Sequence, residues 1–189
     1  GRYLARRPGG LRRPVELALG TVQFGLAYGV AGRGAPVPPD EVRALLRRAH
    51  ARGIRWLDTA AAYGDIEERL AGLIDDADEF RIVSKIPARP AGLGPAQAGE
   101  WAATQFERSR RRIGPALAAM MFHRAEDLLE PGGEALWRAA ASFGAREGVA
   151  VGVSCYDPST LAAVAIRHPV AIAQLPGNAF DQRLNGSEA

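Results

Sequence analysis

The feature that most constrains this chain is a repeated alternation of short aliphatic runs with longer helix-like segments. The runs at 15–21, 54–58, 80–85, 117–123, 149–154 and 170–175 are each too short for a helix. Their aliphatic density suits strands buried on both faces. Between them lie amphipathic stretches. Asp40 is placed to cap a helix with Val42, Leu45, Leu46 and Ala49 on one face and Gly53 as its stop. Asp157 followed by Pro158 predicts a second cap, and 97–113 and 134–146 are the longest helical candidates. Six such βα units imply an α/β fold with a parallel sheet.

Two architectures build such a sheet. A doubly wound fold wants GxGxxG after its first strand. Here the string is Gly20-Thr21-Val22-Gln23-Phe24-Gly25, which does not fit that spacing. The alternative is a (β/α)8 TIM barrel, of which residues 15–189 supply about six of eight units. A barrel places its active site at the C-terminal ends of its strands.

Polar residues occupy those ends. The second strand ends in Asp58, the third in Ser84-Lys85, the fourth in His123, the fifth in Ser154-Cys155 and the sixth in Gln174. Tyr63 sits in the loop after the second. A carbonyl accepting hydride develops charge on oxygen and needs a proton donor. A lysine ammonium near a tyrosine hydroxyl lowers the tyrosine's pKa, and a buried lysine needs a counter-charge. Asp58, Tyr63, Lys85 and His123 therefore form a candidate acid–base tetrad, with His123 orienting the carbonyl. Composition sharpens one member: all but one of the 24 basic residues are arginine, and the exception is Lys85. Lysine offers a compact ammonium that arginine does not replace at a buried site.

Composition also excludes. A net charge of +3, spread along the chain, gives no argument for nucleic acid. No apolar run reaches the roughly 18–20 residues of a membrane span. Cys155 is the sole cysteine, so no internal disulfide forms, and a cytoplasmic setting is expected. No metal-ligand cluster is legible; His50 and His168 read as helix or surface residues. Trp56, Trp101 and Trp137 read as packing; Tyr28, in the Pro/Gly loop after the first strand, reads as solvent-side packing, with a substrate contact as the alternative. Residues 1–14 carry five arginines and no acid before Val15, a basic lead-in expected to be disordered.

The strings LGTVQFG at 19–25, GIRWLDTAAAYG at 53–64, VSK at 83–85, MFHR at 121–124, GVSCYDP at 152–158 and QLPGNAFDQR at 174–183 resemble the aldo-keto reductase superfamily, in family order. FGLAYGV and FDQRL are similar to a bacterial branch associated with sugar or surface-polysaccharide metabolism. The resemblance implies an NAD(P)H-dependent reductase of aldehydes, ketones or sugar carbonyls. Tyr63 would be the general acid, tuned by Lys85 and Asp58. Gly20, Thr21 and Val22 would lie beside the nicotinamide, with Asp58 close by. Ser154 and Gln174 would bind its carboxamide. NADP(H) is used more often than NAD(H) in such enzymes, without a metal. Cys155 stands where the family usually has asparagine, which weakens one carboxamide contact, and Gly177 precedes Asn178 where a larger residue is usual. A complete barrel takes about 250 residues, so strands seven and eight and the pyrophosphate grip are expected outside this sequence. Two alternatives stay open: an inactive binding or regulatory protein of the same fold, and a decaying gene fragment.

Overall fold

A computed structural model of the chain describes residues 15–29, 34–74, 79–178 and 181. The expected lead-in at 1–14 lies outside the described residues, as do Phe180, Gln182 and Arg183 of the last family-like string.

Six strands form one parallel sheet in sequence order: β1 (Ala18–Gly20), β2 (Trp56–Asp58), β3 (Arg81–Ile86), β4 (Leu117–Phe122), β5 (Ala150–Ser154) and β6 (Ile172–Gln174). Helices α1 (Val22–Gly25) and α2 (Pro39–Ala51) follow β1, and α3 (Ile66–Leu73), α4 (Ala98–Ile113), α5 (Gly133–Glu147) and α6 (Pro158–Arg167) follow β2, β3, β4 and β5 in turn. A doubly wound sheet reverses its strand order at a switch point. This sheet never reverses, so the six units are those of a (β/α)8 barrel.

Strand side chains alternate between two surroundings, as a period of two requires. Leu57, Ile82, Ile86, Met120, Phe122, Val151 and Val153 point outward into the main core beneath the helices. Phe106 of α4 anchors that core, stacked on Phe143 at 5.2 Å and edge-on to Phe122 at 5.6 Å. The opposite parity faces the barrel interior, where Val83, Ala119 and Met121 pack with Trp56, Ala150 and Ile172. The register pairs Gly20 with Asp58, Lys85 with Met121, and Ser154 with Gln174. This alternation puts Asp58, Lys85, Ser154 and Gln174 on the inner side and Ser84 on the helix side.

Local expectations hold unevenly. Asp157 caps α6 by accepting the Ser159 N–H at 2.8 Å, with Pro158 in the first turn. Asp40 does not cap α2. Pro38 holds that place, Pro39 opens the helix, and Asp40 sits in the first turn, where its charge complements the helix dipole. On α2, Val42, Leu46 and Ala49 are buried, but Leu45 is 41% exposed at the edge of the apolar face. His168 is not a surface residue: it is buried and stacks on Trp137 at 4.9 Å. Burial pushes its pKa below the usual 6.5.

Candidate active site

The centre forms where β2 and β3 reach the mouth. The Lys85 ammonium donates to Asp58 Oδ1 at 2.7 Å and to the Thr59 carbonyl at 2.8 Å. Its side chain is 2% exposed and that of Asp58 is 16% exposed. Burial depresses the Lys85 pKa, and the adjacent Asp58 carboxylate opposes that fall. Asp58 Oδ2 in turn accepts the Gln174 amide at 3.1 Å, across the barrel from β6. Thr21 locks the Asp58 carbonyl with both its N–H at 2.9 Å and its hydroxyl at 3.0 Å. The strand-end carboxylate is therefore fixed through its main chain and both of its oxygens.

Tyr63 is brought over this pair by the segment after β2. Thr59 and Ala61 donate to the carbonyls of Val83 and Lys85 at 2.9 and 3.0 Å, extending the ladder past the end of β2. The chain then turns through Tyr63, whose N–H reaches the Ala60 carbonyl at 3.0 Å. Gly64 has φ +75°, which favours glycine. Gly25 packs directly on this turn: a Cβ there would lie 1.9 Å from the Tyr63 carbonyl oxygen. The closing glycine of the 19–25 string is thus a positional requirement of Tyr63. Lys85 Nζ lies 5.6 Å from the Tyr63 ring centroid, and the His123 ring stands edge-on to Tyr63 at 6.0 Å. The His123 N–H donates to Ile86 at 3.2 Å, holding it at the end of β4.

The four expected residues Asp58, Tyr63, Lys85 and His123 thus converge. Their electrostatics differ from expectation in one respect. The lysine was expected to lower the Tyr63 pKa; instead it is raised above 10.0, by burial first and by the Asp58 charge second. The Lys85 ammonium itself is held by Asp58 and the Thr59 carbonyl. Tyr28 and Tyr156 act in the same direction. Tyr28 is 58% exposed. The His123 pKa is lowered, by burial first and then by Lys85. At neutral pH the site presents a phenol that keeps its proton and a neutral imidazole.

The remaining expected residues divide. Gly20 lies beside Asp58 on the sheet, Thr21 is buried, and Val22 opens α1. A Cβ on Gly20 would meet nothing within 4 Å, so no protein atom forces a glycine there. Ser154 and Gln174 are register partners at the mouth. Cys155 does not join them: its side chain is buried in the main core, and burial pushes the thiol up to about 11. Its backbone N–H, donating to the Gln174 carbonyl at 3.0 Å, is what it contributes to the site's frame. Ser84 likewise points away from the mouth. Sequence reasoning missed the Thr59 carbonyl and the role of Gly25, neither of which carries a polar side-chain signal. Among the described residues there is no group of three His, Cys, Asp or Glu arranged for a metal ion. No helix among them is long and apolar enough to cross a membrane.

The aldo/keto reductase family model matches residues 16–184. This chain belongs to that family. Among solved structures, PA4992 of Pseudomonas aeruginosa, assigned to the aldo-keto reductases, is 28% identical with a TM-score of 0.70, covering 96% of this chain and 71% of its own. A second Pseudomonas aeruginosa structure with the same assignment is 26% identical with a TM-score of 0.68, covering 96% and 70%. Gox0644, a variant solved in complex with NADPH, is 20% identical with a TM-score of 0.56, covering 83% and 51%, and shares the fold. Among curated proteins none matches. The family is one of oxidoreductases, and Asp58, Tyr63, Lys85 and His123 all fall within the matched span.

Proposed function

We propose that this chain carries the acid–base centre of an NAD(P)H-dependent reductase that converts an aldehyde, ketone or sugar carbonyl to an alcohol. The observation that carries the reading is the convergence of Tyr63, His123 and the buried Lys85–Asp58 pair at the mouth of the strands. Ser154 and Gln174 sit at one level of the sheet and offer a hydroxyl and an amide suited to a nicotinamide carboxamide. The open space over Gly20 fits a flat ring. A nicotinamide held there supplies the hydride. The residues do the rest. His123, neutral at physiological pH, directs an N–H at the carbonyl oxygen. Tyr63 delivers its proton to that oxygen as negative charge develops. Lys85 then stabilises the phenolate left behind, and Asp58 holds the ammonium charged in its buried site. A raised Tyr63 pKa suits this direction, because the donor is fully protonated when the carbonyl arrives.

Tyr63→Phe removes the proton and keeps the ring. With para-nitrobenzaldehyde as probe, kcat falls by about 10²–10⁴-fold, while the NADPH Kd, read by fluorescence, stays within a factor of two. Retained turnover in the variant overturns the role of Tyr63.

A further inference from the structure

Behind β3, on the side away from the mouth, lies an interaction that the proposed chemistry does not use. Glu67 of α3 is 1% exposed, and Ser84 of β3 is wholly buried. The Ser84 hydroxyl donates to Glu67 Oε1 at 2.6 Å. That is the length of a charge-assisted O–H···O⁻ bond. Glu67 Oε2 receives the Arg112 guanidinium from α4 at a longer 3.3 Å. Arg112 is 30% exposed and also pairs with Glu68 at 3.0 Å, so its charge does not depend on Glu67.

A buried carboxylate is a costly choice for a helix–sheet contact. The other inward residues of α3, Ile66, Leu70 and Leu73, are apolar. A well-packed apolar pair at 67 and 84 would stabilise the fold as well or better. What the polar pair adds is direction, and its place in the chain says what it directs. Ser84 immediately precedes Lys85 on β3, and Glu67, in the first turn of α3, follows Tyr63 by four residues. The segment between is already held to β3 at Thr59 and Ala61, and Gly25 packs on the Tyr63 carbonyl. Glu67–Ser84 closes the far end of that span.

Building on the reductase reading, we propose that Glu67 is a positioning residue that, through Ser84, fixes the Tyr63 hydroxyl relative to the Lys85 ammonium. Glu67 touches no reacting atom; it acts through the backbone of β3 and the start of α3. Misplacement by about 1 Å costs roughly 10²-fold in rate, so a loss of this order in kcat is the expected effect of releasing the clamp.

Three variants test the proposal: Glu67→Ala, Glu67→Gln, and the double Glu67→Met/Ser84→Ala, whose apolar pair keeps the helix–sheet contact filled. Each is assayed for kcat and KM with NADPH and para-nitrobenzaldehyde, for thermal stability, and for the Tyr63 titration by NMR on carbon-labelled tyrosine. The clamp predicts a kcat lowered by about 10–10²-fold in the Ala and double variants, KM within a factor of two, and a displaced Tyr63 titration. It predicts that the double variant is at least as stable as the parent, and that Glu67→Gln, whose amide oxygen still accepts from Ser84, recovers most of kcat. Unchanged kcat and Tyr63 titration in a folded double variant overturn it, and Glu67 is then a structural acid alone. Should the parent reduce no carbonyl, the reductase reading fails separately. The Tyr63 titration still decides the clamp in that case, since a positioning role moves it and a merely structural one does not.

Discussion

Lys85 and Asp58 are a poor bargain for stability, and that makes a quantitative prediction possible. Asp58→Asn leaves a lysine that is 2% exposed with only neutral acceptors, the Thr59 carbonyl and the asparagine amide oxygen, and no counter-charge. Stranding a buried charge in this way costs about 3–5 kcal/mol. Lys85→Met leaves a carboxylate that is 16% exposed and still bound by Gln174. That group can reach water or take up a proton, so the cost is nearer about 2 kcal/mol. Were the two effects independent, the double variant would lose about 5–7 kcal/mol. In the double variant neither charge remains, the methionine fills the space of the lysine stem, and the asparagine keeps its partner on Gln174. Its loss should then be within about 1 kcal/mol of wild type. Urea denaturation of the four proteins gives the cycle, and an NADPH-linked assay should find all three variants impaired. A double variant destabilised by the sum of the singles would refute the reasoning, because the pair would then be two separate stabilising groups.

Further outcomes follow from the titrations. The Tyr63 pKa is raised above 10.0, so the stability that its neutral form contributes is fully present below 10.0 and is lost as pH rises through the folded value. Denaturation of wild type and Tyr63→Phe should differ by a constant amount from neutral pH to 10.0 and then converge or cross; a change starting near neutrality would contradict the raised pKa. The His123 pKa is lowered below 6.5, so its contribution is present above 6.5 and is lost as pH falls through the folded value. Carbonyl reduction should therefore persist below pH 6.5, and a loss of rate centred at or above 6.5, absent in His123→Gln, would sink that assignment. Cys155, buried with its thiol pushed up to about 11, should resist disulfide reagents at neutral pH until the protein unfolds. Rapid labelling of native protein would show that it faces the mouth after all.

The barrel was legible because its strands are buried on both faces and so read as plain aliphatic runs. Their limits were less so. The first run begins at 15, yet β1 itself spans only Ala18–Gly20, because ladder hydrogen bonds and not hydrophobicity define a strand. The tetrad was legible because polar residues at strand ends stand out against those runs. The parity of each residue was not. Ser84 and Lys85 are polar neighbours at the end of one run; Lys85 stood out as the sole lysine, and only the sheet shows Ser84 facing α3 and Lys85 the mouth. Cys155, whose place in the carboxamide contact was already weakened by its chemistry, lies one residue past Ser154 and is turned into the core. The direction of the Tyr63 shift was also hidden. It is set first by how deeply the ring is buried and then by the nearness of the Asp58 charge, neither of which residue type reveals.

The most direct test of the central claim is to follow a label. The protein is supplied with NADPH deuterated on the transferring face of the nicotinamide ring, together with para-nitrobenzaldehyde, and the alcohol is examined by mass spectrometry. A carbonyl reductase with Tyr63 as its acid puts one deuterium on the carbinol carbon in wild type and yields almost no alcohol in Tyr63→Phe. Alcohol without deuterium, or equal deuterated product from both proteins, would contradict the account.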